Sequence, residues 1–136
     1  MSTFKETQIA LDTKLATLSS SPPVAWDNKP YTPVEGTTYI RPSNLPALRQ
    51  AVGISNSDGT IGYGYYQVDV LAPVGTGAGA ALTIADNIAA LFTRGLKLTS
   101  GNTTVIVGVP TQDPAITSGA WFMVSVLIPY STLFRS

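Results

Sequence analysis

The chain of 136 residues contains neither cysteine nor histidine. Without cysteine there are no disulfide bonds, no thiolate metal ligands and no cysteine nucleophiles. Without histidine the chain lacks the commonest metal ligand and the usual general base near neutral pH. These two absences exclude many classes of enzyme, including serine hydrolases that activate the nucleophile with a histidine.

Charged residues are scarce: they make up 12% of the chain, and eight basic side chains balance eight acidic ones. This share is about half that of an average soluble domain. Lysine and arginine form no cluster in the sequence, so we expect no general attraction to nucleic acid or to anionic membranes. A small domain with so little charge is poorly protected against self-association. We therefore expect partner proteins to cover much of its surface.

Long hydrophobic runs are also missing. No apolar run approaches the roughly 20 residues that span a bilayer. The first residues, MSTFKETQIALDTKLATL, place charged side chains among apolar ones, which is not the pattern of a signal peptide. These features favour a soluble intracellular protein, and the length predicts a single domain over residues 1–136.

Two segments have the periodicity of amphipathic helices, at 3–18 and at 78–93. Gly95 is expected to end the second helix as a glycine C-cap. The apolar face of the first helix would consist of Phe4, Ala10, Leu11, Leu15 and Leu18. That of the second would consist of Leu82, Ile84, Ala85, Ile88, Leu91 and Phe92.

Alternating residues predict two strands, at 63–72 and at 120–130. Two more strands within 96–109 would form a hairpin that turns at Gly101 and Asn102. Between 24 and 46, four prolines limit the chain to loops and edge strands, with short strand candidates at 24–26 and 37–41. The glycine-rich segment 53–62 is expected to be an exposed hairpin tip or a flexible loop.

The last strand is apolar on both faces. One face carries Phe122, Val124, Val126, Ile128 and Tyr130, and the other carries Trp121, Met123, Ser125 and Leu127. A strand of this kind must be covered on both faces. Two helices can hardly cover both, so we expect a second copy of the chain to help cover the other. The order of elements predicts an α+β fold with two main helices packed on one side of a mostly antiparallel sheet of about four to five strands.

The segment from Gly75 to Ala80 fits the G-x-G-x-x-[G/A] pattern of dinucleotide-binding turns. Such a site also needs a parallel βαβ unit and an acidic residue about 20 positions further on. After Asp86 the next acidic residue is Asp113, and the strands after the second helix have the pattern of a hairpin. We therefore interpret the glycines as a tight structural turn. A small-ligand-binding domain that uses this loop remains an alternative.

The carboxylates are scattered along the chain, so we predict no catalytic residue, no metal site and no cofactor. A hydrolase whose acidic residues meet only in the fold remains an alternative. Asp69 shares a strand face with Tyr65 and Gln67, which fits the solvated side of an antiparallel sheet. Among the aromatic residues, we expect Tyr66 and Trp26 in the core, and Tyr65 and Trp121 at an interface.

Three stretches of the chain, taken in order, resemble the tail-terminator proteins of long-tailed bacteriophages. The first is PVAWDNKPYTPVEGTTYIRPSNLP at 23–46, which follows the N-terminal helix. The second, YYQVDVLAPVGTGAGAALTIADNIAALF at 65–92, reads as a strand, a glycine-containing turn and a helix that ends in phenylalanine. The third, GVPTQDPAITSGAWFMVSVLIPY at 108–130, matches their closing hairpin. No single motif is specific, but the ordered set covers nearly the whole chain.

The resemblance implies a structural protein of the virion and not an enzyme. Tail terminators form a six-membered ring on the end of the tail tube and stop the addition of tube subunits. The other side of the ring receives head-completion or neck proteins, and DNA passes through the lumen without specific binding. Assembly would take place in the host cytoplasm without a membrane. Another neck, connector or tube-like virion subunit remains an alternative.

The resemblance matches elements and not contacts, so the site residues come from the chain itself. We expect subunit contacts at Tyr65, Asp69, Trp121 and Met123. The segments 44–62 and 111–119 are expected to be mobile loops that dock onto other rings. The loop-borne docking residues would be Arg41, Arg49 and Asp58.

Overall fold

The computed structural model describes residues 3–18, 22–26, 30–33, 36–51, 60–75, 79–101 and 103–134. These residues form the helices α1 (Thr3–Leu15) and α2 (Gly79–Leu91) and seven β-strands. The strands are β1 (Tyr39–Ala51), β2 (Thr60–Pro73), β3 (Lys97–Ser100), β4 (Thr103–Val107), β5 (Thr111–Gln112), β6 (Ile116–Ser118) and β7 (Trp121–Phe134). All pairings between them are antiparallel. The predicted α+β class is confirmed, while the sheet has more strands than the sequence predicted.

Strand β7 is the central strand of the sheet, whose order is β1-β2-β7-β4-β3. Along one side it pairs with β2 in an unbroken register. Along its other side lie β4, β5 and β6 in succession, so these three are pieces of one interrupted strand. From the pair Val107↔Tyr130 to the pair Thr111↔Leu127, the interrupted strand advances four residues and β7 three. Each break therefore contains an extra residue, as in a β-bulge.

The expectation of a loop over 111–119 is wrong for the residues of β5 and β6, because both strands pair with β7. The error has a simple cause. Strands of two and three residues are too short to show the alternation on which strand prediction depends.

Strand β1 forms a long hairpin with β2, although it contains Pro42 and Pro46. The expected loop over 44–62 is therefore wrong for 44–51, which belong to β1, and for 60–62, which belong to β2. Residues 52–59 lie outside the described residues. The prolines are tolerated because β1 is a border strand, where a missing N–H removes no hydrogen bond from the ladder. The strand candidate at 24–26 is a single parallel bridge between Val24 and Ile40.

One hydrophobic core contains residues of both helices and of one face of the sheet. The sheet contributes even-numbered residues of β2 and β7, and the registers place Ile40, Val105 and Val107 on the same face. The helical segments contribute Ala10, Leu11, Leu15, Ala81, Ala85, Ile88 and Phe92. Tyr66 is buried as predicted, with its ring 5.7 Å from that of Phe92, and Trp26 packs against this core. The apolar face predicted for α2 and the first apolar face predicted for the last strand, from Phe122 to Tyr130, are thus confirmed.

Polar contacts join α1 to the sheet. Thr103, at the start of β4, is buried and donates its hydroxyl to Oε1 of Glu6 over 2.8 Å. The hydroxyl of Tyr66 donates to Oδ1 of Asp12. At Gly101, in the turn between β3 and β4, φ is 57° and an added Cβ would collide with the Glu6 carboxylate. The hairpin turn predicted at this point is confirmed, and it contacts the first helix.

Candidate functional site

The second face of the sheet, which we call the outer face, carries the odd-numbered residues of β2 and β7. The registers add residues 39, 41, 43 and 45 of β1 and the even-numbered residues of β4. The face has two parts along the strands. One part is a polar cluster with a buried carboxylate, and the other is an exposed apolar patch.

The polar cluster consists of Asp69 with Arg41, Gln67 and Ser125. Oδ1 of Asp69 accepts hydrogen bonds from Nε2 of Gln67 at 2.8 Å and from Oγ of Ser125 at 2.7 Å. Its Oδ2 accepts one from Nη2 of Arg41 at 3.0 Å. Strand register produces this arrangement, because Arg41, Asp69 and Ser125 lie directly opposite one another on β1, β2 and β7.

Asp69 is only 3% exposed. The prediction that it lies on a solvated face is therefore wrong. Burying a carboxylate is costly unless hydrogen bonds and an opposite charge compensate, and the cluster supplies both. The side chain of Arg41 is 47% exposed, and its Nη2 also lies 3.8 Å from Sδ of Met123. Because Asp69 already balances its charge, Arg41 is not a free cation on this face.

Aromatic residues close the end of the outer face next to the polar cluster. The ring of Trp121 meets that of Tyr39 edge-on, with centroids 5.2 Å apart. Tyr31 lies 5.0 Å from Tyr39. Edge-to-face contacts of this kind are favourable for aromatic pairs. Trp121 is therefore half-buried and held by contacts within its own chain.

The apolar patch occupies the other end of the outer face. Its members are Leu45, Tyr63, Tyr65, Ile106 and Leu133, each between 37% and 47% exposed. We call it the tyrosine patch. Leu45 lies directly opposite Tyr65, and Tyr63 and Ile106 flank the same residue of β7. Contiguous exposed apolar surface of this kind marks sites of interaction with other proteins.

A groove of about 270 Å³ adjoins the tyrosine patch and shares Tyr63 and Ile106 with it. It is lined by Tyr63, Ile106, Val107, Gly108, Pro129, Tyr130 and Ser131. It follows the break between β4 and β5, where the N–H of Gly108 donates to the carbonyl of Pro129 over 2.8 Å. None of the lining residues is charged. The groove therefore suits an uncharged side chain better than an ionic ligand.

Tyr130 joins β7 to β1 on the core face. Its hydroxyl donates to Oδ1 of Asn44 over 2.6 Å. Burial raises the pKa of the Tyr130 phenol above its ordinary value, and the hydrogen bond to Asn44 opposes this shift. The neutral phenol is therefore the form that the fold favours.

The glycine segment does not have the topology of a dinucleotide site. Helix α2 connects β2 to β3, but β7 and β4 lie between these two strands in the sheet. The antiparallel pairings also make β2 and β3 run in opposite directions, whereas the site requires a parallel pair. Gly75 has a φ of 92°, which suits a tight turn. Residues 76–78 lie outside the described residues.

The residues predicted to make subunit contacts lie on the outer face of neighbouring strands, with Tyr65 and Asp69 on β2, and Trp121 and Met123 on β7. Tyr65 is 47% exposed, whereas Asp69 is enclosed. Arg41 and Arg49 lie on strand β1 and not in loops, which corrects the predicted location, while Asp58 lies outside the described residues. Their roles as contacts and docking residues stay predictions.

Sequence reasoning missed the role of Ser125 and the part of the tyrosine patch beyond residue 130. Leu133 had a detectable signal, because the alternation of the last strand continues to Phe134. The hydrogen bond from Ser125 to Asp69 had no detectable signal in the sequence. It spans 56 positions and depends on the register of two strands.

No three acidic side chains come together to hold a metal ion anywhere in the described part of the chain. Asp69 has hydrogen-bond donors around it in place of other carboxylates. Across the described residues, no helix is both long and apolar enough to cross a bilayer.

The fold occurs in known proteins. One solved structure is 28% identical to this chain, with a TM-score of 0.76 over 100% of this chain and 99% of that chain. A second structure, from the virion of a native gene transfer agent particle, is 14% identical, with a TM-score of 0.66 over 97% of this chain and 98% of that chain. No curated protein matches the chain significantly.

A family model also matches the chain. The model of the phage tail terminator protein family matches residues 7–130, which is most of the chain. Members of this family are structural proteins of phage tails. The protein belongs to the phage tail terminator protein family and is a structural component of the virion.

Proposed function

We propose that copies of this chain form a hexameric ring that caps the tail tube. The ring ends polymerisation of the tube protein and provides the joining surface for head-completion or neck proteins. Membership of the tail terminator family supports this role. The function depends on shape and not on catalysis, since termination needs one face that imitates a tube subunit and another that does not.

The observation that carries the proposal is the tyrosine patch on the outer face. We propose that both helices pack on the core face and leave the outer face to neighbouring copies. Tyrosine is enriched at the residues that dominate binding energy in interfaces. The exposed fractions of Tyr63 and Tyr65, 46% and 47%, leave both rings available to a partner.

The polar cluster has a supporting role in this proposal. Tyr65 and Met123 make contacts directly, while Asp69 is too enclosed to do so and instead fixes Arg41 and Gln67 by hydrogen bonds. Trp121 contacts the neighbour with the part of its ring that Tyr39 does not cover. Closed rings are built from head-to-tail contacts between two different surfaces of each subunit. The outer face is one of these surfaces.

The low charge of the chain fits a lumen through which DNA slides without specific binding. Affinity for DNA depends largely on Lys and Arg side chains that neutralise phosphates. The eight basic residues of the chain are spread along it, and Arg41 is paired with Asp69. A structure with this fold comes from the virion of a gene transfer agent particle, which supports assembly of this chain into a virion.

The mass of the native protein tests the proposal. Light scattering after size-exclusion chromatography should show a species near six times 14.3 kDa, either alone or when purified tail tubes are present. The double variant Tyr63→Ser and Tyr65→Ser should lose this species and the capping of tube ends in electron micrographs. Ile9→Ser is the matched control, because Ile9 is 43% exposed on α1. A patch variant that assembles and caps tubes like the wild type contradicts the proposal.

The same experiment separates the alternatives. A tube-like subunit lengthens the tubes, whereas a neck or connector protein leaves their ends uncapped and binds only after they are complete. A small-ligand-binding domain using the segment from Gly75 to Ala80 stays monomeric and gains thermal stability with its ligand. The antiparallel arrangement of β2 and β3 argues against a dinucleotide as that ligand.

A further inference from the structure

The outer edge of β1 is a border of the sheet, because the strand order begins with β1. Border strands expose backbone N–H and C=O groups that can pair with a strand of another chain. Natural proteins often block such pairing, and proline is one means of doing so. Two prolines of β1, Pro42 and Pro46, lie within its pairing with β2.

The hydrogen bonds of Ile40 show which groups of β1 point outward. Its N–H donates to the carbonyl of Pro23 over 3.0 Å, and its carbonyl accepts from the N–H of Ala25 over 2.8 Å. Both groups of Ile40 therefore point away from β2. Backbone groups alternate in direction along an antiparallel strand. The backbone groups of residues 42, 44 and 46 therefore also point to the outer edge of β1.

This alternation places both prolines at outward positions. Pro42 and Pro46 have no N–H to offer, and the outward groups of Ile40 are already paired with residues 23 and 25. Between 40 and 46, Asn44 alone can donate an N–H to a further strand. The edge therefore presents carbonyl acceptors with almost no donors, which is not enough for a ladder with another strand.

The rest of the sheet border also resists extension. The register of β1 shifts between Pro46 and Leu48, and a shift of this kind twists an edge. The opposite border, β3, has only four residues and begins with the exposed Lys97. Short border strands and lysine both discourage pairing between edges.

We propose that the edge of β1 is a device that prevents a second copy of the chain from extending the sheet. Copies of this chain contact one another through side chains, and backbone pairing at residues 41–46 is closed to them. A chain with a net charge of zero has little electrostatic protection against self-association, so a blocked edge has particular value here. The inference holds whether or not the protein forms a ring.

Restoring the outward N–H groups tests the proposal. The double variant Pro42→Val and Pro46→Val supplies two donors and keeps the side chain at the buried position 42 apolar. We expect it to self-associate with rising concentration, and to gain the infrared band of intermolecular β-sheet. Pro33→Val, in an exposed segment outside the strands, is the control and should behave like the wild type. A folded double variant with the mass distribution and infrared spectrum of the wild type overturns the proposal.

Hydrogen exchange of the wild-type protein gives a second test, which decides the matter if the double variant does not fold. The outward N–H of Asn44 should exchange with deuterium as fast in concentrated or assembled protein as in dilute protein. Protection of this amide that increases with assembly would show that a second chain pairs with the edge, and would overturn the proposal.

Discussion

Tyr130 on β7 reaches across β2 to Asn44 on β1, and its hydroxyl donates to the amide oxygen over 2.6 Å. Gly64 of β2 lies opposite Tyr130 in the register. A Cβ at this glycine would lie 2.7 Å from the Tyr130 hydroxyl oxygen and 2.8 Å from the carbonyl oxygen of Leu45. The hydrogen bond between β7 and β1 thus depends on the absence of a side chain at Gly64 of β2, the strand that lies between them.

Gly64→Ala should therefore destabilise the protein by about 1–3 kcal/mol, the usual cost of overpacking. The backbone carbonyl of Leu45 cannot move aside as the end of a long side chain can. Urea denaturation followed by circular dichroism measures the effect. Gly79→Ala is the control, because nothing lies within 4 Å of a Cβ at the start of α2. Equal stabilities of the two variants would contradict the close packing at Gly64.

Tyr130→Phe should change how stability depends on pH. Burial raises the pKa of Tyr130 in the folded protein, so the unfolded chain ionises first, from about pH 10 upward. The contribution of the neutral phenol is fully present below that pH and is lost as the pH rises through the folded pKa. The free energy of unfolding should fall more steeply above about pH 10 in the wild type than in Tyr130→Phe. At neutral pH the variant should be less stable by about 1 kcal/mol, because Asn44 loses its donor.

Urea titrations between pH 8 and 11 measure this difference. The two proteins differ only at position 130, so subtracting the two curves isolates the contribution of Tyr130. A difference that stays constant across this range would show that the phenol is not held neutral by burial.

Asp69→Ala should lower the free energy of unfolding by about 1–3 kcal/mol, because it leaves Gln67 and Ser125 without their acceptor. The expected loss of stability is smaller than for a fully buried ion pair, because the side chain of Arg41 is 47% exposed to solvent. Ser125→Ala removes one donor only and should cost about 1 kcal/mol. Chemical denaturation of each variant gives the values.

The control for the polar cluster is Asp86→Ala, at an exposed position on α2. Surface substitutions of this kind usually change stability by less than about 0.5 kcal/mol. If Asp69→Ala were as mild as Asp86→Ala, the hydrogen bonds of the cluster would not contribute to the fold.

Gly101→Ala should weaken the contact between α1 and the hairpin of β3 and β4. It places a side chain at a φ of 57° and pushes Glu6 away from Thr103. Gly95→Ala is the matched control, because Gly95 has a φ of 83° with no neighbour near its Cβ position. We expect Gly101→Ala to cost about 0.5–1.5 kcal/mol more than the control, the contribution of the lost hydrogen bond.

A double-mutant cycle with Thr103→Val isolates that hydrogen bond. In the Thr103→Val background the bond is already gone, so the additional cost of Gly101→Ala should shrink. Fully additive effects in thermal or urea denaturation would show that Glu6 and Thr103 are not coupled to the turn.

The sequence predicted the elements that have a clear period. The alternation in β2 and β7 and the helical pattern of α2 identified the buried residues, such as Tyr66 and Ile88, because a core imposes its period on the chain. It predicted only the first residues of β1, as an edge-strand candidate at 37–41, because Pro42 and Pro46 argued against a longer strand. Both prolines are compatible with pairing on a border strand, so β1 continues past them to Ala51.

The candidate site was predicted less well than the fold. Tyr65 and Trp121 were placed on the correct strands, but the burial of Asp69 depends on Arg41, 28 positions away. That contact follows from the register of β1 with β2. The register could not be predicted, because Pro42 and Pro46 interrupt the strand pattern of β1. The loop prediction failed at β5 and β6 for a different reason, because the pairing of these short strands depends on β7 and not on their own pattern.

The position of β7 in chain order has a consequence for how the protein is made. In the sheet, the β1-β2 hairpin and the β3-β4 hairpin are joined only through β7, and β7 follows both hairpins in the chain. Until residues 121–134 emerge, the two hairpins have no shared ladder, and a two-stranded hairpin alone is marginally stable in water. The sheet that joins the two hairpins therefore cannot be completed before residues 121–134 have been synthesised.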